Sequence, residues 1–176
     1  PDVLCDLLQG FFDKVLVDAP CSGEGMIRKE PAALENWSVE NINACAVRQQ
    51  KILESAKTAL RPGGMLVYST CTFAWQENEM VIAEFLRNNS QFTLQKIDKQ
   101  FGIAGIKKFA PDTENIEFCR RIFPQNGGEG HFVALMKLEG TEPDVQVDIK
   151  YQRTTETEIF KDFFANNFDG NINGTV

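Results

Sequence analysis

The sequence predicts an α/β fold of parallel strands joined by crossover helices, with an antiparallel hairpin closing the sheet edge. Residues 14–18 form a short continuous apolar run, which is typical of a strand buried on both faces of a parallel sheet. A helical repeat and a second apolar run at 65–69 follow. Residues 121–123 and His131–Leu138 flank the turn sequence PQNGGEG, which indicates the hairpin. The strand, helix, strand order is that of a βαβ unit, whose crossover is right-handed.

The helix between the two parallel strands has clear start and stop signals. Ser38 is a suitable N-cap, and apolar residues recur at helical spacing from Ile42 to Leu60. The sequence Arg-Pro-Gly-Gly at 61–64 then predicts the end of the helix. Residues 76–87 are predicted to form the next helix, with an inward face made of Val81, Ile82, Phe85 and Leu86.

The remaining segments divide the chain. Residues 92–97 are a third strand candidate, and residues 1–138 read as one structural unit. Residues 139–150 are polar and predict a linker. Residues 151–176, with a helix near 156–167, read as the start of a C-terminal extension.

Composition excludes several classes of protein. The chain has 176 residues, of which 43% are apolar, and no stretch approaches the ~18 consecutive apolar residues of a membrane span. It carries no secretion signal, and its five cysteines are odd in number and lack any CxxC pair, which argues against disulfides and against a metal site. We therefore expect a protein of the reducing cytoplasm. A net charge of −7 disfavours a free-standing nucleic-acid binder.

Two cysteines stand where ligands bind in α/β sheets. Asp18-Ala19-Pro20-Cys21 follows the first strand directly, and Ser69-Thr70-Cys71 follows the second. The carboxyl ends of adjacent parallel strands meet at one edge, so two thiols and a carboxylate are expected to lie together there. A cysteine elsewhere is more often a small buried apolar residue. That interpretation applies to the other three, Cys5, Cys45 and Cys119.

Three longer motifs occur in a specific order. They are DAPCSGEGMIRKEP at 18–31, RPGGMLVYSTCTFAWQENE at 61–79 and GEGHFVALMK at 128–137. With these motifs the chain resembles the Sun-type RNA (cytosine-5) methyltransferases, most closely the bacterial ribosomal RNA small-subunit methyltransferase F type. The resemblance covers residues 11–138 and implies a Rossmann-like class I methyltransferase fold, of which this chain holds the C-terminal, catalytic half.

The resemblance also implies roles for single residues. The Thr-Cys cysteine of the family is the nucleophile, which gives that role to Cys71. The Pro-Cys cysteine, here Cys21, assists product release. Asp18 is implied to lie against both the cofactor, S-adenosylmethionine, and the target cytosine, and Pro20 belongs to the same cofactor-binding stretch. The implied substrate is RNA, most specifically ribosomal RNA.

The chemistry of cytosine methylation explains these residue types independently. Carbon 5 is too electron-poor to attack a methyl sulfonium, so a soft nucleophile must first add at carbon 6, and a thiolate does this best. Charge then develops on the N3 side of the ring, where an acid such as Asp18 stabilises it. The nucleophile needs a lowered pKa, and we expect the N-terminus of the helix beginning near residue 76, together with nearby cations, to supply it.

Other residues carry weaker signals. Arg28 and Lys29 are candidates for contacts with RNA phosphates, although adjacent cations are usually a solvated surface. His131, the single histidine, is a candidate for contact with RNA and for a general base, although a role in packing or hydrogen bonding is favoured. Gly23 and Gly25 lack the third glycine of a dinucleotide motif, so we interpret them as loop flexibility.

The sequence lacks two features of the family. A Gly-rich cofactor loop and a ribose-binding acid would precede residue 11, and neither is present. We therefore expect the isolated chain to bind S-adenosylmethionine weakly and to be inactive alone. The first strand would also leave an apolar edge open, so we expect dimerisation or strand exchange there.

Two classes of alternative remain open. One is a methyltransferase with another target, because Asp-Ala-Pro-Cys loosely resembles the Asp/Asn-Pro-Pro-aromatic motif of amino-methylating enzymes. DNA cytosine methyltransferases, moreover, place their nucleophile in Pro-Cys, the position of Cys21. The other is a non-catalytic RNA-associated interaction module. The presence of Cys71 after Ser69 and Thr70 favours the RNA enzyme.

Overall fold

The computed structural model describes residues 5, 7–98 and 101–141, and it confirms the predicted α/β class. Six strands of this part form one mixed sheet flanked by helices. The strands are β1 (Phe12–Asp18), β2 (Leu60–Thr70), β3 (Phe92–Leu94), β4 (Ile103–Ala104), β5 (Arg120–Ile122) and β6 (His131–Leu138). The longer helices are α1 (Val39–Thr58) and α2 (Glu79–Asn88), and short 3₁₀ turns include Glu24–Met26 and Pro31–Asn36.

The strands lie in the order β1-β2-β6-β5-β4, with β3 also beside β6. β1 and β2 are parallel, with Val17 opposite Tyr68, as the βαβ interpretation predicts. The predicted hairpin is formed, since β5 and β6 are antiparallel. It does not close the sheet edge, however, because β6 lies between β2 on one side and β5 and β3 on the other. Its fully buried residues, Phe132, Ala134 and Met136, are in the centre of the core.

The predicted burial of the first strand on both faces is wrong. Of β1, Val17 is buried, whereas Leu16 is 69% exposed. β1 is the edge strand of the described sheet, and helix α1 packs on one of its faces. No described residue covers Leu16, so the continuous apolar run of β1 overstates its burial in this chain.

Helix α1 begins as predicted. The Ser38 hydroxyl accepts a hydrogen bond from the Asn41 backbone N–H at 3.0 Å, which is a standard N-cap. The helix ends at Thr58, and Leu60 already belongs to β2. The 61–64 sequence therefore lies inside β2, where the pairing with β1 is irregular, rather than between helix and strand.

Helix α2 begins three residues later than predicted, at Glu79. Val81, Ile82 and Phe85 are buried as expected, and Leu86 packs against the core while partly exposed. The third strand is also shorter than predicted and pairs with β6. Beyond residue 141, the predicted linker and C-terminal helix lie outside the described residues. No described helix is long and apolar enough to cross a membrane.

Candidate active site

Two loops meet at the carboxyl end of the parallel strand pair. The Cys21 loop (residues 18–25) follows β1, and the Cys71 loop (residues 69–79) follows β2. The Ala19 N–H donates to the Ser69 carbonyl at 2.9 Å, which continues the pairing of β1 with β2 by one residue beyond the end of β1. The structure thereby brings the two sulfurs to 3.3 Å from each other. Both cysteines are half-buried and free of disulfides.

Asp18 lies at the same edge of the sheet and is exposed. Its Oδ1 accepts a hydrogen bond from the Ser69 hydroxyl at 3.0 Å, which orients the carboxylate beside the Cys71 loop. Pro20 is exposed next to it, and its carbonyl accepts a hydrogen bond from Gln49 at 3.0 Å. An exposed carboxylate and an exposed turn beyond a parallel strand fit part of a cofactor site in this class of fold.

The thiol pair sets the ionisation of both cysteines. The hydrogen bond from Cys21 lowers the pKa of Cys71 to about 7, although burial and the negative charge of Asp18 oppose this. The pKa of Cys21 is raised, first by its hydrogen bond with Cys71, then by burial and by the Cys71 charge. Cys71 is therefore the more acidic thiol of the pair, and the Cys21 thiol can donate to its sulfur when Cys71 ionises.

The sequence-based explanation for the lowered pKa needs correction. We expected the N-terminus of a helix starting near residue 76 and nearby cations to stabilise the thiolate. The helix starts at Glu79, and the largest cause of the shift is the neighbouring Cys21 thiol. The motifs predict that the two thiols lie together, but the hydrogen bond between them depends on side-chain geometry that two residues 50 positions apart do not encode.

Glu77 connects the two loops from beneath. Its carboxylate is fully buried and accepts hydrogen bonds from the Ser22 backbone N–H at 3.0 Å, from the Ser22 hydroxyl and from the Gln49 amide at 2.8 Å. Because Ser22 follows Cys21 directly, this single side chain of the Cys71 loop holds the Cys21 loop against helix α1. The Tyr68 hydroxyl donates to the Glu77 carbonyl at 2.7 Å and fixes its backbone.

Gly25 and Glu24 form a second connection. The Gly25 N–H donates to the Cys71 carbonyl at 3.0 Å, and Glu24 Oε2 accepts from the Phe73 N–H at 3.1 Å. A Cβ on Gly25 would lie 2.4 Å from the Gly130 carbonyl oxygen, inside a steric clash. Gly25 is therefore required for close packing of backbones, and the interpretation of this residue as loop flexibility is wrong.

A buried ion pair supports the far end of the Cys71 loop. Glu79 is fully buried and Arg121 is 3% exposed, and the guanidinium of Arg121 donates to both oxygens of the Glu79 carboxylate. Arg121 also donates to the Phe73 carbonyl at 3.0 Å, two residues after Cys71. The sequence analysis missed this pair. The available signal was the presence of Glu77 and Glu79 in the QENE segment (residues 76–79), shortly after the candidate nucleophile Cys71.

The weaker candidates lie to the side of the thiol pair. Arg28 and Lys29 are mostly exposed and form ion pairs with Glu129 at 3.7 and 3.6 Å. His131 is the first residue of β6, opposite Ile122 in β5, and is partly buried. Within residues 5, 7–98 and 101–141, no cluster of three or more His, Cys, Asp or Glu side chains is arranged to hold a metal ion.

Comparison with solved structures supports the fold. A methyltransferase homologue from Pyrococcus horikoshii superposes with a TM-score of 0.62 at 34% identity, over 72% of this chain and 39% of that one. NSun6 from Pyrococcus horikoshii, crystallised with SFG, gives a TM-score of 0.60 at 30% identity, over 73% of this chain and 30% of that one. The chain therefore has the Rossmann-like class I methyltransferase fold.

Sequence relatives agree. The ribosomal RNA small subunit methyltransferase F of Aeromonas hydrophila is 42% identical over 137 residues, which is 76% of this chain and 27% of that protein. The same enzyme of Salmonella arizonae is 61% identical over 74 residues, or 42% of this chain and 15% of that protein. This chain thus spans about a quarter of the length of the Aeromonas relative. The family model for 16S rRNA methyltransferase RsmB/F matches residues 3–137, and the chain belongs to that family.

Proposed function

We propose that this chain is the catalytic half of an enzyme that methylates carbon 5 of a cytosine in RNA, with ribosomal RNA as the substrate class. The observation that carries the proposal is the thiol pair, in which the two sulfurs lie 3.3 Å apart and the Cys21 hydrogen bond lowers the pKa of Cys71 to about 7. The names of the RNA methyltransferase relatives support the same reaction class. Residues 1–138 would be the catalytic half, 139–150 a linker and 151–176 the start of a C-terminal extension.

Cys71 begins the proposed reaction. Its thiolate adds to carbon 6 of the cytosine, so that a carbon–sulfur bond forms and the electrons of the 5,6 double bond move toward N3. Asp18, held by Ser69 at the end of β1, is assigned to N3: in its carboxylic acid form it gives N3 a proton, which neutralises that charge, and it takes the proton back when the double bond re-forms. Carbon 5 is then an enamine carbon and nucleophilic.

S-adenosylmethionine, when bound, supplies an electrophilic methyl group to carbon 5. We assign Asp18 and Pro20 to its binding site, because both are exposed beyond β1 at the edge where open α/β sheets bind ligands. NSun6, the related structure with SFG, an analogue of S-adenosylmethionine, supports this cofactor.

Cys21 acts in the release step. While Cys71 is an anion, the Cys21 proton is held by the hydrogen bond between the two sulfurs and the Cys21 pKa is raised. Once the Cys71 sulfur is bonded to carbon, that negative charge is gone, and Cys21 can lose its proton to solvent. The Cys21 thiolate then takes the carbon 5 proton, the double bond re-forms, and the carbon–sulfur electrons return to Cys71. The initial thiol and thiolate are restored.

The raised pKa of Cys21 also bears on the alternatives. An enzyme that used the Pro-Cys residue as nucleophile, as in the DNA cytosine methyltransferases, would need the reverse order of the two pKa values. An amino-methylating enzyme or a non-catalytic RNA module would need no thiolate at all. The lowered pKa of Cys71 therefore favours cytosine-5 chemistry over these candidates.

RNA that contains 5-fluorocytosine at the target position tests the proposal, because fluorine cannot leave as a proton and the adduct persists. The full-length protein with S-adenosylmethionine should give a complex that survives denaturing gels, and Cys71→Ser should give none. The isolated 176-residue chain should give little, since we expect it to bind S-adenosylmethionine weakly. A complex of equal yield from Cys71→Ser would refute the proposal.

A further inference from the structure

An open, mainly apolar cleft of about 560 Å³ lies beside the Cys71 loop. Its walls include the Trp37 and Phe73 rings and the Leu34 side chain, with Arg28 and Glu129 also lining it. Trp37 is 41% exposed and Leu34 is 58% exposed, so a large apolar surface faces solvent here. None of these side chains takes part in the reaction steps proposed above.

The cleft is connected directly to the proposed nucleophile. The Trp37 indole N–H donates to Glu24 Oε1 at 2.8 Å, and the other oxygen of Glu24 accepts from the Phe73 N–H at 3.1 Å. The same carboxylate thus fixes the Trp37 ring and the backbone two residues after Cys71. A group bound in the cleft would lie beside whatever Cys71 attacks.

The composition of the cleft favours a flat, uncharged polar ring. Unpaired bases bind proteins by stacking on aromatic side chains and on the guanidinium plane of arginine. The two cations on this side, Arg28 and Lys29, share the Glu129 carboxylate, and Glu24 also lines the cleft, so two positive charges face two negative ones. A cleft that bound the phosphate backbone alone would instead have an excess of cations.

We propose that this cleft binds the unpaired base of a nucleotide next to the target cytosine, stacked on Trp37. The inference rests on the proposed RNA substrate and deepens it, because it makes recognition depend on single-stranded RNA around the target. The cleft adjoins the Cys71 loop, so an RNA whose cytosine reaches Cys71 would bring its neighbouring nucleotide to the cleft. This favours a nucleobase over an apolar peptide as the occupant.

Fluorescence of Trp37 tests the contact directly. The chain has two tryptophans, and the second, Trp75, stacks on Phe109. The Trp75→Phe variant therefore makes Trp37 the sole tryptophan reporter. A single-stranded RNA hexamer containing cytosine should quench this fluorescence saturably in the 176-residue chain. The same hexamer without the base next to the cytosine should bind about tenfold more weakly and quench less.

Two substitutions separate stacking from a structural role of Trp37, with affinity measured by anisotropy of labelled RNA. Trp37→Phe removes the hydrogen bond to Glu24 but keeps an aromatic face, so affinity should stay within about threefold of the parent. Trp37→Ala should weaken binding about tenfold or more and should abolish the difference between intact and abasic RNA. Circular dichroism checks that both variants are folded.

Three results would overturn the inference: RNA that leaves Trp37 fluorescence unchanged, equal losses in the Phe and Ala variants, or equal affinity for intact and abasic RNA. The 5-fluorocytosine complex, measured separately in the full-length protein, depends on Cys71 and reports on the proposed function. Its presence with no base effect at Trp37 removes the cleft proposal alone. Its absence with a clear base effect removes the proposed chemistry instead.

Discussion

The Cys21 loop and the Cys71 loop hold equivalent positions, each directly after one of two parallel strands, yet they are supported differently. The Cys71 loop has its own buried anchors, because Glu79 pairs with Arg121 and Arg121 holds the Phe73 carbonyl. The Cys21 loop is anchored mainly by the Cys71 loop, through Ser22 to Glu77 and through Gly25 to the Cys71 carbonyl, and helix α1 adds one bond from Gln49 to the Pro20 carbonyl. The difference indicates that Cys71 is the fixed group and that Cys21 is placed relative to it.

The largest effect should come from breaking the anchor of the Cys71 loop. Glu79→Ala leaves the Arg121 charge buried without its partner, and loss of one member of a buried ion pair typically costs about 3–5 kcal/mol. The free energy of unfolding, measured by urea titration, should fall by that amount. The double variant Glu79→Ala/Arg121→Met is the control and should recover most of the loss. A cost below about 1 kcal/mol for Glu79→Ala would show that the pair does not anchor the loop.

The next effect should come from Glu77, which connects the two loops. Glu77→Gln keeps the shape of the side chain but replaces one accepting oxygen with an NH₂ group, which faces the donors of Ser22 and Gln49. The free energy of unfolding should fall by about 1.5–3 kcal/mol. Beyond stability, it should separate the sulfurs and raise the pKa of Cys71, because the Cys21 hydrogen bond affects that pKa more than the Glu77 charge, whose loss acts in the opposite direction. Tyr68→Phe, which removes only the hydrogen bond to the Glu77 backbone, is a matched control with little change at the thiols. A Cys71 pKa that stays unchanged in Glu77→Gln would argue against the connection.

A smaller and more local change tests the coupling of the thiols. Cys21→Ala removes the donor that lowers the Cys71 pKa, so that pKa should move from about 7 toward the ordinary value of 9.0. The Cys71 thiolate of the native protein is lost as the pH falls through about 7, whereas the variant already loses it at higher pH. Alkylation of Cys71 at pH 7, followed by mass spectrometry of its peptide, should slow about tenfold or more. Equal rates would contradict the coupling.

The smallest effect on folding should come from the exposed edge of β1, outside both loops. Leu16→Lys replaces an apolar side chain that is 69% exposed, and surface changes of this kind alter stability by about 0.5 kcal/mol or less. If the edge recruits a second copy, as we propose, the substitution should shift the chain toward monomer in light scattering, since lysine protects edge strands. Native chain that is monomeric at high concentration would exclude self-association through β1.

Much of this arrangement was predictable from local patterns. The strand runs, the Ser38 cap and the hairpin turn follow from periodicity and turn residues, because these depend on neighbours in sequence. The interior position of β6 and the exposure of Leu16 depend on which elements cover which, and no local pattern encodes that. The motifs indicated Asp18, Cys21 and Cys71. The partners Glu77, Glu79 and Arg121 were missed because charged residues are rarely fully buried, and because Arg121 lies about fifty residues from the loop it holds.

The central claim is that Cys71 bonds to the base and Cys21 releases it, and identifying the sulfur that carries RNA tests this most directly. The Cys21→Ser variant of the full-length protein, incubated with S-adenosylmethionine and unmodified target RNA, should accumulate a covalent complex because release is blocked. After nuclease and protease digestion, mass spectrometry should locate the nucleotide on the peptide that contains Cys71. No accumulated complex in this variant, or a nucleotide on Cys21 in the native protein trapped with 5-fluorocytosine RNA, would contradict the account.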